Sequence, residues 1–286
     1  MKNNIHFFIL FISGFFMLYL ISGCAFKTVK RSKNIVYNSE SSKNTDRQKL
    51  NVFSPSGNNN LKPVLIFVHG GAWNSGNKSL YNFFGNRMAR KGVVTVIPDY
   101  PKSPKANYQE MAMDIAMAVQ WVKNNISSLG GDSNRIFISG HSAGGHLAAL
   151  ITIRENYFKN LGMVNPIKGL ILIDAAGLDM YGYLKEENFE EGNTYLKTFT
   201  NDPATWKEAS PLYFLKDNMP PMLIYRGGKT YPSILKSNEK FVDSLKKLDT
   251  KFTYHIQPDK KHIPMILQFF NSNNKRYREI GEMLKN

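Results

Sequence analysis

The stretch IFISGHSAGGHLAAL, residues 136–150, sets an apolar run of β-branched residues directly before a run with helical spacing. Ser142 stands at the junction with a glycine on either side, at Gly140 and Gly144. The pattern Gly-x-Ser-x-Gly occurs often by chance, so its meaning depends on what surrounds it. A strand that turns sharply into a helix brings backbones too close for larger side chains. That turn pushes the serine hydroxyl out beyond the end of the sheet. The amides opening the helix, from Ala143 onward, face the same space and can stabilise a developing oxyanion.

Working outward, the chain alternates two kinds of segment. PVLIFVHGG (63–71), VVTVIPDY (93–100), IKGLILIDA (167–175), PPMLIYRGG (220–228) and KFTYHIQ (251–257) read as strands, most of them apolar enough to be buried on both faces. LYNFFGNRMARK (80–91), YQEMAMDIAMAVQWVKNNI (108–126) and SNEKFVDSLKKL (237–248) read as amphipathic helices. The alternation predicts an α/β fold, a mostly parallel sheet with helices on both faces. In such folds the loops leaving the carboxyl ends of the strands build the site. His69-Gly70-Gly71, Ser142, Asp174, Gly227-Gly228 and His262 all fall at such ends. In HGGAW (69–73) the two glycines let the backbone turn, so that amides of Gly71 and Ala72 can point at the same oxyanion as Ala143.

Taken with PDYPKSP (98–104) and GGDSNRIFISGHSAGGHLAAL (130–150), these motifs resemble the α/β-hydrolase superfamily. The likeness is to its esterase branch, related to hormone-sensitive lipase, bacterial carboxylesterases and isoprenylcysteine methylesterases. It runs from about Leu50 to the C-terminus and is strongest over 63–150. The resemblance implies Ser142 as nucleophile, with Gly71, Ala72 and Ala143 as the oxyanion donors. Chain order in this fold is serine, acid, histidine. After Ser142 come His146, His255 and His262; His146 flanks the elbow, His255 lies inside a strand-like run, and His262 opens an apolar run after a turn, so His262 is the expected base.

The acid is less direct. The resemblance places it at position 230, and the chain has Thr230 there, in LIYRGGKTYPSI (223–234). Threonine cannot accept a proton or offset an imidazolium charge. One reading moves the acid to the preceding strand end, with Asp174 the first candidate, Asp179 the second and Asp259 the third. Asp174 also suits a loop-bracing or helix-capping role. The other reading is a site without an acid, slow or inert. GGKT lacks the first glycine of a phosphate loop, since Leu223 stands there.

The N-terminus, MKNNIHFFILFISGFFMLYLISGCAFK (1–27), has a lysine, an apolar stretch and small residues before Cys24. The apolar stretch is short for a membrane span. Ile-Ser-Gly-Cys resembles the bacterial lipoprotein signal, which implies a signal peptide over 1–23, lipidation of Cys24 and an exported, membrane-anchored protein. Cys24 is the only cysteine, so an internal disulfide is excluded. Residues 24–48, polar and basic, read as a flexible tether, with the hydrolase domain over 49–286 and a cap insertion over about 175–219.

The net charge of +15 is scattered, so a solvated basic surface is expected rather than a nucleic-acid groove. No metal motif is present and a serine mechanism requires no cofactor; His141 and His146 lack the acidic partner of a His-Glu-x-x-His site. The expected activity is a serine carboxylesterase or deacylase acting on a small ester. An amidase or peptidase of the same fold, or a binding lipoprotein on a decayed hydrolase fold, is the alternative. Oligomeric state is not legible.

Overall fold

The structure is a computed structural model that describes residues 28–38, 47–57 and 60–285. An eight-stranded sheet runs through it in the order β1-β2-β4-β3-β5-β6-β7-β8. The strands are β1 (Val29–Val36), β2 (Lys49–Pro55), β3 (Lys62–Val68), β4 (Val94–Pro98), β5 (Gly131–His141), β6 (Ile167–Ile173), β7 (Met222–Gly227) and β8 (Phe252–Gln257). All neighbours from β4 to β8 pair in parallel; β2 runs antiparallel to both β1 and β4. The helices are α1 (Asn82–Arg90), α2 (Tyr108–Asn125), α3 (Ala143–Ile153), α4 (Asn156–Lys159), α5 (Met180–Glu187), α6 (Thr194–Phe199), α7 (Pro203–Glu208), α8 (Pro232–Leu245), α9 (His262–Leu267) and α10 (Arg276–Met283). This is the mostly parallel, helix-flanked architecture expected from the alternation of segments.

Strand β3 shows why its sequence is apolar throughout. Val64, Ile66 and Val68 enter the core on one face of the sheet, where α2 and α3 also pack. Leu65 and Phe67 enter the core on the other face, shared with α1 and α10. A strand covered on both sides has no polar face to display. Helix α2 opens with a reciprocal capping box, the Asn107 side chain accepting from the Glu110 amide and the Glu110 carboxylate accepting from the Asn107 amide. Every residue of α3 is buried, so this helix is apolar all round rather than striped.

One boundary differs from the sequence reading. Val29–Val36, assigned there to a flexible tether, forms the edge strand β1, in register with β2 from Val29 opposite Pro55 to Val36 opposite Lys49. No strand period was legible because the register breaks between Ser32 and Ile35, where Asn34 takes a positive φ of 56°. The strand is held by main-chain pairing, and Lys30, Arg31 and Lys33 point charge outward as edge strands do. The proposed signal peptide, Cys24 and residues 39–46 lie outside the described residues. Among the described residues no helix is long and apolar enough to cross a membrane.

Between β6 and β7, the segment expected as a cap folds into α5, α6 and α7 and a 3-10 turn at Pro211–Phe214. Tyr183, Glu187 and Tyr195 from these helices face the carboxyl ends of the central strands.

Candidate active site

Strand β5 ends at His141 and α3 begins at Ala143, leaving Ser142 alone at the turn with φ 55° and ψ −125°. This backbone conformation is costly for a non-glycine residue, on the order of 1–3 kcal/mol. The flanking glycines are required by close approach. A Cβ on Gly140 would lie 2.3 Å from the Gly144 carbonyl oxygen, and one on Gly144 would lie 2.2 Å from that of Val68. The elbow is therefore wedged against the end of β3, and the turn is tied to β6 by the Ser142 amide donating to Ile173 O at 3.2 Å.

From this turn a chain of hydrogen bonds runs inward. The Ser142 hydroxyl lies 2.8 Å from Nε2 of His262, and Nδ1 of His262 lies 2.6 Å from Oδ2 of Asp174. His262 opens α9 and Asp174 follows β6, so the three side chains come from three loops at the same end of the sheet. Asp174 is fully buried and sits at φ 47°, a left-handed conformation that aspartate tolerates better than most residues. Its Oδ1 accepts the Gly227 amide at 2.7 Å, and its Oδ2 also accepts the Thr230 hydroxyl at 2.5 Å. The structure thus brings Ser142, His262 and Asp174 together, and it seats Thr230 on the carboxylate.

The other acid candidates are elsewhere. Asp179 caps α5, accepting from the Gly182 amide, and takes the Lys240 ammonium at 2.5 Å. Asp259 is exposed and paired with Lys229 at 3.0 Å. His255 is half-buried in β8, stacked on Tyr225.

Two further histidines brace the site. His141 stacks on the His262 ring at 4.6 Å between centroids and lies 3.3 Å from the His262 carbonyl. Burial, with the neighbouring His262 adding to it, lowers its pKa to about 3, so the ring stacked on His262 is neutral. His146 accepts from the Trp73 indole at 3.1 Å through Nδ1 and donates through Nε2 to the Ala209 carbonyl at 2.7 Å. Burial lowers it to about 4. It ties the glycine loop to α3 and to the cap segment.

The loop after β3 is strained in series: Gly71 has φ 136°, Ala72 47° and Trp73 59°. A Cβ on Gly71 would meet Ser75 O at 2.2 Å. Gly71 and Ala72 line the same cleft as Ser142 and His262, and Ala143 is the first residue of α3. Among the described residues the amides of Gly71, Ala72 and Ala143 donate to no protein acceptor, as a set of oxyanion donors must not.

The sequence reading missed what holds this loop. His69 lies 2.8 Å from Gly70 O through Nδ1 and 2.9 Å from Asp99 Oδ1 through Nε2, and its own carbonyl accepts the Tyr100 hydroxyl at 2.9 Å. Burial draws the His69 pKa down from its ordinary value, and the Asp99 carboxylate opposes that. Both ring nitrogens face acceptors, so the two bonds form together only on the protonated ring. For Asp99, burial alone would raise the pKa; the His69 and Lys102 contacts carry it below the ordinary value. The signal in the sequence was a buried-strand aspartate, in VVTVIPDY, level with the His-Gly-Gly turn.

The cleft over Ser142 encloses about 680 Å³. Trp73, Tyr81, Tyr183, Tyr195 and Tyr231 supply aromatic wall, and among the described residues Glu187 is the one carboxylate that lines it. Among the described residues no cluster of three or more His, Cys, Asp or Glu could hold a metal ion.

The chain is similar to several known proteins. The isoprenylcysteine alpha-carbonyl methylesterase of Arabidopsis thaliana is 29% identical over 258 residues, which are 85% of this chain and 58% of that protein. Esterase LipC of Mycobacterium tuberculosis is 30% identical over 199 residues, 64% of this chain and 48% of that protein. The chain spans about half the length of the curated relatives it matches. Esterase B of Lactobacillus rhamnosis shares the fold, with a TM-score of 0.74 at 18% identity, covering 97% of this chain and 94% of that one. The BD-FAE family model matches residues 50–234, well over half of the chain. The chain belongs to the BD-FAE family and has the α/β-hydrolase fold.

Proposed function

We propose that the protein is a serine carboxylesterase. The observation that carries this reading is the chain Ser142–His262–Asp174, opening on a cleft beside three amides that donate to no acceptor among the described residues. The Ser142 proton moves to Nε2 of His262 as Oγ bonds to the ester carbonyl carbon. The carbonyl oxygen becomes an oxyanion among the amides of Gly71, Ala72 and Ala143. The C–O bond to the alcohol breaks, and Nε2 returns the proton to the departing oxygen. Water then gives a proton to Nε2 and attacks the acyl carbon, and Ser142 Oγ leaves with that proton as the acid is released. Asp174 holds the Nδ1–H tautomer and faces the charge that forms on the ring.

The cleft suits a small acyl ester whose remainder is apolar, aromatic or sugar-like. Its walls are ring faces, and the tyrosine hydroxyls and Glu187 offer hydrogen-bond partners without positive charge. The ester chemistry in the names of the relatives points the same way. What favours a binding role is the absence of an acid at position 230; the Asp174 carboxylate, 2.6 Å from Nδ1, supports the catalytic reading over it. Anchoring through a lipidated Cys24 is part of this proposal and rests on the Ile-Ser-Gly-Cys sequence alone.

Hydrolysis of p-nitrophenyl acetate by the chain from Thr28 onward, beside its Ser142→Ala variant, tests the reading. Turnover that disappears in the variant, with wild-type labelling of Ser142 by a fluorophosphonate, supports it. Turnover equal in the two proteins refutes it.

A further inference from the structure

Asp174 presents two oxygens to three donors, and the donors are not equivalent. Oδ1 has the Gly227 amide to itself, whereas Oδ2 is shared by the His262 ring and the Thr230 hydroxyl. The turn that carries Thr230 is bonded to the loop that carries His262. The Gly228 amide donates to Gln257 O at 2.7 Å and the Lys229 amide to Lys260 O at 3.0 Å. A Cβ on Gly227 would lie 2.5 Å from Lys260 O and one on Gly228 2.3 Å from Pro258 O, so the two loops pack main chain to main chain. The next residue, Tyr231, places its ring 5.1 Å from that of His262. Position 230 is thus fixed relative to the imidazole by backbone contacts that do not involve Asp174.

We infer that Thr230 is a positioning residue for the esterase reaction: its hydroxyl orients the Asp174 carboxylate toward Nδ1 of His262. This rests on the triad reading above. A carboxylate pinned by the Gly227 amide alone can turn about its Cβ–Cγ bond and lose the in-plane approach of Oδ2 to Nδ1. The hydroxyl removes that freedom and, as a donor to a charged acceptor, does so strongly. The same geometry agrees with the resemblance, which places the acid at position 230. The Thr230 oxygen is 2.5 Å from an oxygen that is itself 2.6 Å from Nδ1. With the Asp174 side chain removed, a carboxylate at 230, one atom longer than threonine's hydroxyl arm, comes within reach of the imidazole.

The test compares Thr230→Val, Thr230→Ser, Asp174→Gly and the double variant D174G/T230D, with p-nitrophenyl acetate kinetics, fluorophosphonate labelling and thermal melting on each. Glycine is chosen at 174 because φ there is 47°. T230V is expected to lose about ten- to a hundredfold in kcat with KM changed less than about twofold, and T230S to restore most of the loss. D174G/T230D is expected to turn over at least about tenfold faster than D174G. A T230V protein with unchanged kcat overturns the inference. So does an equal loss in T230V and T230S that follows the melting temperature. A double variant no faster than D174G overturns the claim that 230 addresses the imidazole. Wild-type turnover in Ser142→Ala would instead remove the triad reading beneath it, so the two failures are told apart.

Discussion

Ser142 and Asp174 both hold positive φ, and both carry the atoms on which the proposed chemistry turns. Backbone strain at these residues is sustained by what surrounds them: the packed elbow for one, the Tyr225 carbonyl accepting the Asp174 amide at 2.7 Å for the other. Replacing Asp174 by Asn keeps a residue that tolerates the left-handed region and removes the charge opposite the imidazolium. The expected outcome is a fall in kcat of about ten-thousand-fold, by analogy with the same change in serine proteases, with the melting temperature little altered. Steady-state kinetics with differential scanning calorimetry check it. Asp179 at the same strand-end loop behaves differently because Lys240 and the Gly182 amide already claim its carboxylate.

At the scale of single elements, the elbow gives a sign test. Alanine is the better helix former by roughly 1 kcal/mol, so propensity alone predicts that Gly144→Ala stabilises α3. The new methyl would sit 2.2 Å from Val68 O and 2.5 Å from His69 O, both main chain. The expected outcome is a lower melting temperature and loss of esterase activity, because the end of β3 and the glycine loop must move apart. Helix α2 offers a second case. Asp114 is buried with its carboxylate accepting from Gln48 at 2.6 Å, and burial raises its pKa to about 6 from an ordinary 3.8. A raised carboxylate favours the folded state while it is protonated, so this contribution is whole below pH 3.8 and lost as pH rises through about 6. Asp114→Asn keeps the acceptor and sheds the buried charge. It should raise stability by about 1–3 kcal/mol at pH 8 and change little at pH 4, as chemical denaturation at the two pH values would read.

Across the whole molecule, acid sensitivity should follow the buried histidines. His141 and His146 are lowered to about 3 and about 4 from 6.5, so the unfolded chain takes up protons first as pH falls. Their contribution is complete above pH 6.5 and declines by about 1.4 kcal/mol per pH unit per histidine on the way down. His146→Gln keeps an acceptor for Trp73 and a donor for Ala209, so the slope of unfolding free energy between pH 6.5 and 4.5 should fall by about 1.4 kcal/mol per pH unit, the share of one histidine. The sheet's edge makes another whole-molecule prediction. A chain starting at Arg47 lacks β1 and leaves the main-chain groups of β2 open along the register from Lys49 to Pro55. It should melt several degrees below the chain from Thr28, about 5 °C or more, and associate at high concentration where the longer chain does not.

How much of this was legible in the sequence follows from the range over which each feature is specified. The α/β architecture was legible because buried parallel strands must be apolar on both faces, and β3 to β7 are. The elbow was legible because close backbone approach admits only glycine beside Ser142, and His262 because chain order and an apolar run after a turn leave one candidate. Strand β1 was not, since its pairing rests on main-chain bonds that any polar residue can make and its register breaks at a bulge. The amino-acid sequence by itself determined the layered fold, the serine at its turn and the short list of acids, all of them local consequences of spacing and steric tolerance. Only the tertiary structure decided which acid meets His262 and where the Thr230 hydroxyl lies. Those depend on the ends of β6 and β7 lying side by side, a separation of 56 residues in sequence closed to 2.5 Å by the register of the sheet.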